Sequence, residues 1–147
     1  MNKYLWAAVA IVVIIGLYIW LRPEASTPTS QPVQSELVGT SWEWEYALYN
    51  DGREVRPDEP GSFVLTFAGD GRFSAKTDCN TMGGAYVADQ VGVTFNSIVS
   101  TLMFCEGSQE TEFVQLLEGT GGHHFGPEGE LILDLKFDSG SAVFRPK

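Results

Sequence analysis

The chain has 147 residues, 44% of them hydrophobic, with 19 Asp and Glu against 9 Lys and Arg, a formal net charge of −10. That length suits one ordinary domain, and the acidity argues against nucleic acid and against docking on an anionic membrane face. With only two cysteines, one internal bridge is the most the chain can form.

The first element is apolar. Tyr4 to Leu21 reads YLWAAVAIVVIIGLYIWL, without charge or proline. As a helix these 18 residues span about 27 Å, close to the hydrocarbon thickness of a bilayer. Tyr4, Trp6, Tyr18 and Trp20 lie near its ends, where aromatic rings settle at the membrane interface. The run is longer than the apolar core of a signal peptide, and no small-x-small cleavage site follows Leu21. No cysteine near Arg22 offers a site for acylation. Residues 1–22 are therefore expected to be an uncleaved signal anchor, a single N-terminal transmembrane helix through residues 4–21. Lys3 and Arg22 flank the run, so the positive-inside rule barely discriminates its orientation. The large acidic C-terminal part favours a domain outside the cytoplasm, periplasmic or extracellular.

Residues 23–36, PEASTPTSQPVQSE, are rich in proline, serine and threonine. Such a segment cannot bury enough surface to offset its ordering entropy and reads as a linker. The soluble domain is then 37–147. From Glu36 onward there are 18 acidic and 7 basic residues, a formal charge of −11.

Within the domain, Thr40–Leu48 (TSWEWEYAL) alternates Trp42, Trp44 and Tyr46 with Glu43 and Glu45. This period of two predicts a strand with an aromatic core face and a solvated carboxylate face. Ser62–Phe67 and Arg72–Thr77 flank Gly69-Asp70-Gly71, a tight-hairpin signal. Ala85–Val87, Val91–Phe95 and Ser100–Phe104 read as further short strands. Ser108–Glu118 is the one helical segment, with Phe113, Leu116 and Leu117 on one face and Glu110 and Glu112 in the first turn, where the macrodipole favours negative charge. His123–Phe125, Glu130–Leu135 and Ser141–Arg145 complete the strands. About eight short strands and one helix suit an antiparallel barrel or sandwich; there is no β-α-β alternation for a nucleotide-binding sheet.

Several motifs recur in order: L-x-G-T-x-W at 37–42, F-x-x-D-G-R-F-S at 67–74, D-C-N-x-x-x-G-x-Y at 78–86, S-T-x-M-x-C at 100–105, E-x-x-F-x-x-L-L at 110–117 and L-x-L at 131–133. Together they resemble the META-domain (HslJ-like) family over nearly the whole soluble part. The resemblance implies a mainly β fold, a small antiparallel lipocalin-like β-barrel with one α-helix. It implies an envelope protein with a stress-related role, and it brings no catalytic residues. The family often enters its cysteine through a glycine-rich turn; here Thr77-Asp78 precedes Cys79.

The stretch TDCNTMGGAY, 77–86, admits several readings. A nucleophilic Cys79 needs a base within reach, and only His123 and His124 are on offer, far along the chain and without a hydrolase motif. A metal site from Cys79, Cys105, His123 and His124 lacks ligand spacing, and adjacent histidines on a strand point to opposite faces. A phosphate cradle requires a helix after the glycines, but Ala85-Tyr86-Val87 is β-like. The remaining reading is a structural corner. Asn80 would tolerate left-handed backbone and satisfy local backbone groups; Gly83 and Gly84 would supply positive φ or close strand approach. Cys79 and Cys105 would form a disulfide, favoured by an oxidising compartment, with two buried thiols as the alternative.

Catalytic residues, metal ligands and cofactors are thus not expected. The function expected is a non-enzymatic binding or interaction module, its partner an unknown protein or a small apolar ligand, with no nucleic acid. The alternative is a small inhibitor of a secreted hydrolase acting through loops such as 53–61.

Overall fold

The computed structural model describes residues 34–147. The expected anchor and most of the expected linker lie outside the described residues. Among the described residues no helix is long and apolar enough to cross a membrane. The end of the expected linker is ordered: Gln34–Leu37 forms a helical turn, α1.

The strands are β1 (Ser41–Tyr49), β2 (Glu54–Val55), β3 (Val64–Phe67), β4 (Arg72–Lys76), β5 (Thr81–Ala88), β6 (Val93–Ser100), β7 (Thr120–Phe125), β8 (Leu131–Leu135) and β9 (Gly140–Pro146). One helix, α2 (Glu110–Gly119), stands between β6 and β7. All pairings among these strands are antiparallel. They make one curled sheet in the order β6-β5-β4-β3-β1-β9-β8-β7, with β2 added beside β1. The two ends of this order approach each other, and the His123 N–H donates to the Val91 carbonyl at 3.0 Å.

The curl encloses two aromatic groups. Trp44 packs on Phe63 and Phe113, and Phe113 on Phe144. Phe67, Tyr86, Phe95 and Phe73 form the second. The helix contributes Phe113, Leu116 and Leu117, all fully buried. Its apolar face is the one its spacing predicts.

The expected aromatic face of β1 holds only in part. Trp42 and Trp44 are buried, but Tyr46 is half-exposed and outside the core. The cause is a bulge. Trp44 faces Phe144 and Tyr46 faces Val143 of β9, so Glu45 is an extra residue in β1. An extra residue reverses the alternation beyond it: Ala47 turns inward and Tyr46 outward, where the Arg56 guanidinium lies 4.7 Å from its ring centre. Glu43 and Glu45 share Arg145, at 3.7 and 2.9 Å.

At the seam, His123 is buried against Phe125. Its Nδ1 is one of two buried side-chain nitrogens without a hydrogen-bond partner among the described residues, the other being Trp44 Nε1. Burial lowers the His123 pKa below the usual imidazole value, opposed in part by the Asp89 and Asp134 carboxylates. His124, the next residue, faces out and meets Asp134 at 3.0 Å.

Two outcomes follow. Trp44→Ala is expected to cost about 3–5 kcal/mol in urea unfolding, and Tyr46→Ala under about 1 kcal/mol as a surface change; equal losses would contradict the bulge. For His123, the unfolded chain takes up a proton below about pH 6.5 while the folded chain resists it. Stability from the neutral ring is therefore complete above that pH and falls as pH drops toward the lowered native value. Urea midpoints at pH 7.5 and 5.5 should fall less for His123→Leu than for wild type.

Candidate functional site

The corner 77–80 is where distant parts of the chain meet. Thr77 and Asn80 close it: the Thr77 N–H donates to the Asn80 carbonyl at 2.9 Å, and the Asn80 N–H donates to Thr77 Oγ1 at 2.8 Å. Cys79 is bridged to Cys105 with their Cα atoms 5.9 Å apart. Of the two expected states, the bridge rather than two buried thiols is the one present.

Beside the bridge, the Asn80 side chain acts on the facing segment as a strand backbone would. The Met103 N–H donates to Asn80 Oδ1 at 2.9 Å, and Asn80 Nδ2 donates to the Met103 carbonyl at 3.1 Å. Thr101 Oγ1 donates to the same Oδ1 at 2.7 Å. Asn80 is buried and does not take a left-handed backbone. The expectation of a left-handed Asn80 serving its neighbours is thus corrected: its partners lie over twenty residues away.

Of the two roles expected of Gly83 and Gly84, close strand approach is the one they fill. Both are inside β5, and neither has positive φ. At Gly84 an added Cβ would sit 2.7 Å from the Asn96 carbonyl and 2.8 Å from the Phe73 ring. Here β6 carries a bulge, with Ser97 and Ile98 standing opposite Gly84 and Ser97 at φ 54°. The glycine lets that bulge press onto β5 and Phe73 beneath it. So the corner proper is 77–80, and the strand begins at Thr81.

The same corner starts the helix. Gln109, before α2, has no side-chain cap of its own. Asp78 supplies one from across the chain, accepting from the Gln109 N–H at 2.7 Å and from Ser108 Oγ at 2.8 Å. A carboxylate at this position is favoured by the helix dipole. Glu110, in the first turn, accepts from Ser100 Oγ at 2.6 Å and Thr77 Oγ1 at 3.1 Å. Gln109 continues the chain of contacts into loop 53–61, through the Asp58 N–H and the Arg56 carbonyl.

The product of this bracing is an exposed apolar segment. Leu102, Met103 and Phe104 are 100%, 61% and 93% exposed. Ser100–Phe104 was expected as a strand from its composition, but β6 ends at Ser100 and 101–104 runs as irregular chain. Beside it is a cleft of about 650 Å³, bordered by Met103, Phe104, Val114, Glu106, Glu110 and Glu118 together with the disulfide. Neither histidine borders it. The signal that could have found the segment is S-T-L-M-F-C: an apolar triplet directly before a bridging cysteine.

A curled antiparallel sheet with one inserted helix and a stapled corner defines a class of small β modules. The META domain model matches residues 35–146, and the chain belongs to the META-domain family. Two solved structures are similar to it. One is the NMR structure of a protein from Burkholderia xenovorans, 21% identical, with TM-score 0.64, covering 78% of this chain and 86% of that one. The other is the crystal structure of a DUF4847 family protein from Bacteroides vulgatus, 19% identical, with TM-score 0.59, covering 76% of this chain and 95% of that one. These two likenesses concern the fold. None of the curated proteins matches the chain significantly.

The bridge closes a loop with a sequence separation of 26, for which chain entropy gives about 3.5 kcal/mol. Reduction should lower unfolding free energy by roughly 2–4 kcal/mol, and Asn80→Ala by about 1–3 kcal/mol through the unpaired Met103 backbone groups. Losses under about 0.5 kcal/mol in both would mean that the corner holds nothing.

Proposed function

We propose that this protein is a non-enzymatic binding module of the cell envelope, anchored by residues 4–21 with its domain outside the cytoplasm. The disulfide supports an oxidising compartment. In this reading the curled sheet is a lipocalin-like β-barrel, closed at the seam by the His123 contact to Val91. A stress-related role rests on the family resemblance alone.

One observation carries the binding function. Leu102, Met103 and Phe104 stay in water although the bridge and Asn80 hold the segment in place. Contiguous exposed apolar side chains mark contact surfaces more often than chance, and a fixed one loses little entropy on binding. The working surface is therefore this segment, and the partner is a protein.

A second reading is a hydrolase inhibitor acting through loop 53–61. In its favour, that loop is exposed yet braced: Arg53 meets Glu112 at 3.0 Å and lies 3.9 Å from the Tyr49 ring centre.

Photo-cross-linking of the full chain in its own envelope separates the two. A benzoylphenylalanine at Leu102 or Phe104 should give a discrete protein adduct, and one at Glu59 should not. Adducts to a hydrolase from Glu59 alone would favour the inhibitor, and no adduct at Leu102 or Phe104 would remove the binding reading.

A further inference from the structure

Resting on that reading, we infer that the surface at 102–104 receives a cationic amphipathic polypeptide segment: apolar side chains on Met103, Phe104 and Val114, and Lys or Arg against Glu106 and Glu118.

The charges bordering the cleft are all negative. Glu110 is committed to Ser100 and Thr77. Glu106 and Glu118 are exposed, and neither carboxylate has a salt-bridge partner among the described residues. The nearby Lys136 ammonium is directed to the Glu118 carbonyl instead, at 2.7 Å. An incoming cation therefore meets two carboxylates that no side chain among the described residues pairs with. Apolar side chains beside it find Phe104 and Leu102 already in water, so their burial removes apolar surface on both sides at roughly 25 cal/mol per Å².

The same charges disfavour the other occupants. From Glu36 onward the chain carries −11, so a second copy brings carboxylates to carboxylates, and an anionic lipid surface is repelled in the same way. The cleft volume of about 650 Å³ takes a few side chains rather than a folded surface, within the usual range for a concave site. Rigid staging by the disulfide and Asn80 fits recognition of a segment that orders on a fixed template.

The test uses the full-length chain in phosphatidylcholine nanodiscs, with empty discs subtracted. The probes are a fluorescent Lys/Leu amphipathic peptide and its Lys/Ser counterpart, followed by anisotropy. The Lys/Leu peptide should bind at least about tenfold tighter than the Lys/Ser peptide. The double change Leu102→Ser with Phe104→Ser should remove that advantage without moving the melting temperature. Glu106→Gln with Glu118→Gln should weaken binding and flatten its dependence on salt between about 0.05 and 0.5 M, whereas Glu128→Gln, in the β7–β8 turn, should not. Equal binding of both peptides, or an equal loss in Glu128→Gln, would reduce the effect to bulk charge and overturn the inference. Loading of the discs onto added phosphatidylglycerol vesicles through Phe104 would overturn it in favour of lipid. Pairing of discs abolished by Phe104→Ser would overturn it in favour of a second copy. If neither peptide binds while cross-links from Leu102 persist, the binding reading stands and the cationic partner falls.

Discussion

The Asn80 side chain and the disulfide beside it join two stretches of chain just past the end of the β5–β6 ladder. Asn80 exchanges both amide hydrogen bonds with the Met103 backbone, so the segment after β6 is held as though by a neighbouring strand. The covalent bridge from Cys79 to Cys105 fixes the same segment at its far end. Between these two points the chain has no other regular structure. Remove them, and three apolar side chains would be free to collapse onto the nearest apolar surface instead of standing in water.

The corner also sets the helix. Asp78 accepts from the Gln109 amide and the Ser108 hydroxyl before α2, while Thr77 and Ser100 donate to Glu110. The helix then delivers Phe113, Leu116 and Leu117 into the core against Trp44 and Phe63. A short polar turn thus orients both the core-forming helix and the exposed apolar segment. Each contact is modest, about 1 kcal/mol net for an ordinary hydrogen bond, but they converge on four consecutive residues and share partners, so they act together.

Much of this was legible in the sequence. The Gly-Asp-Gly turn marked the β3–β4 hairpin, the 113-116-117 spacing marked the buried helix face, and two cysteines beyond an apolar leader suggested the bridge. What was not legible depended on pairing partners. Nothing local marks Glu45 as a bulge, because the extra residue exists only relative to β9; the local alternation alone therefore sends Tyr46 to the core. The glycine pair at 83–84 allows positive φ or close strand approach in isolation, and only the bulge in β6 decides for close approach. Ser100–Phe104 has strand composition, and only tertiary structure reveals that the β5–β6 ladder stops at its first residues and leaves Leu102, Met103 and Phe104 exposed beyond it. Asn80 offered turn chemistry, while its real partners, Thr101 and Met103, are distant in sequence.

Amide hydrogen exchange at Met103, read against that of the β1–β9 ladder, measures most directly whether the corner holds the apolar segment. In the oxidised chain the Met103 amide, which donates to Asn80 Oδ1, should exchange slowly despite the exposed side chain. On reduction, or in Asn80→Ala, it should exchange near the unfolded rate while Trp44 and Val143 stay protected. A Met103 amide that exchanges freely in the oxidised protein, or one that stays protected after both changes, would contradict a segment held by Asn80 and the bridge.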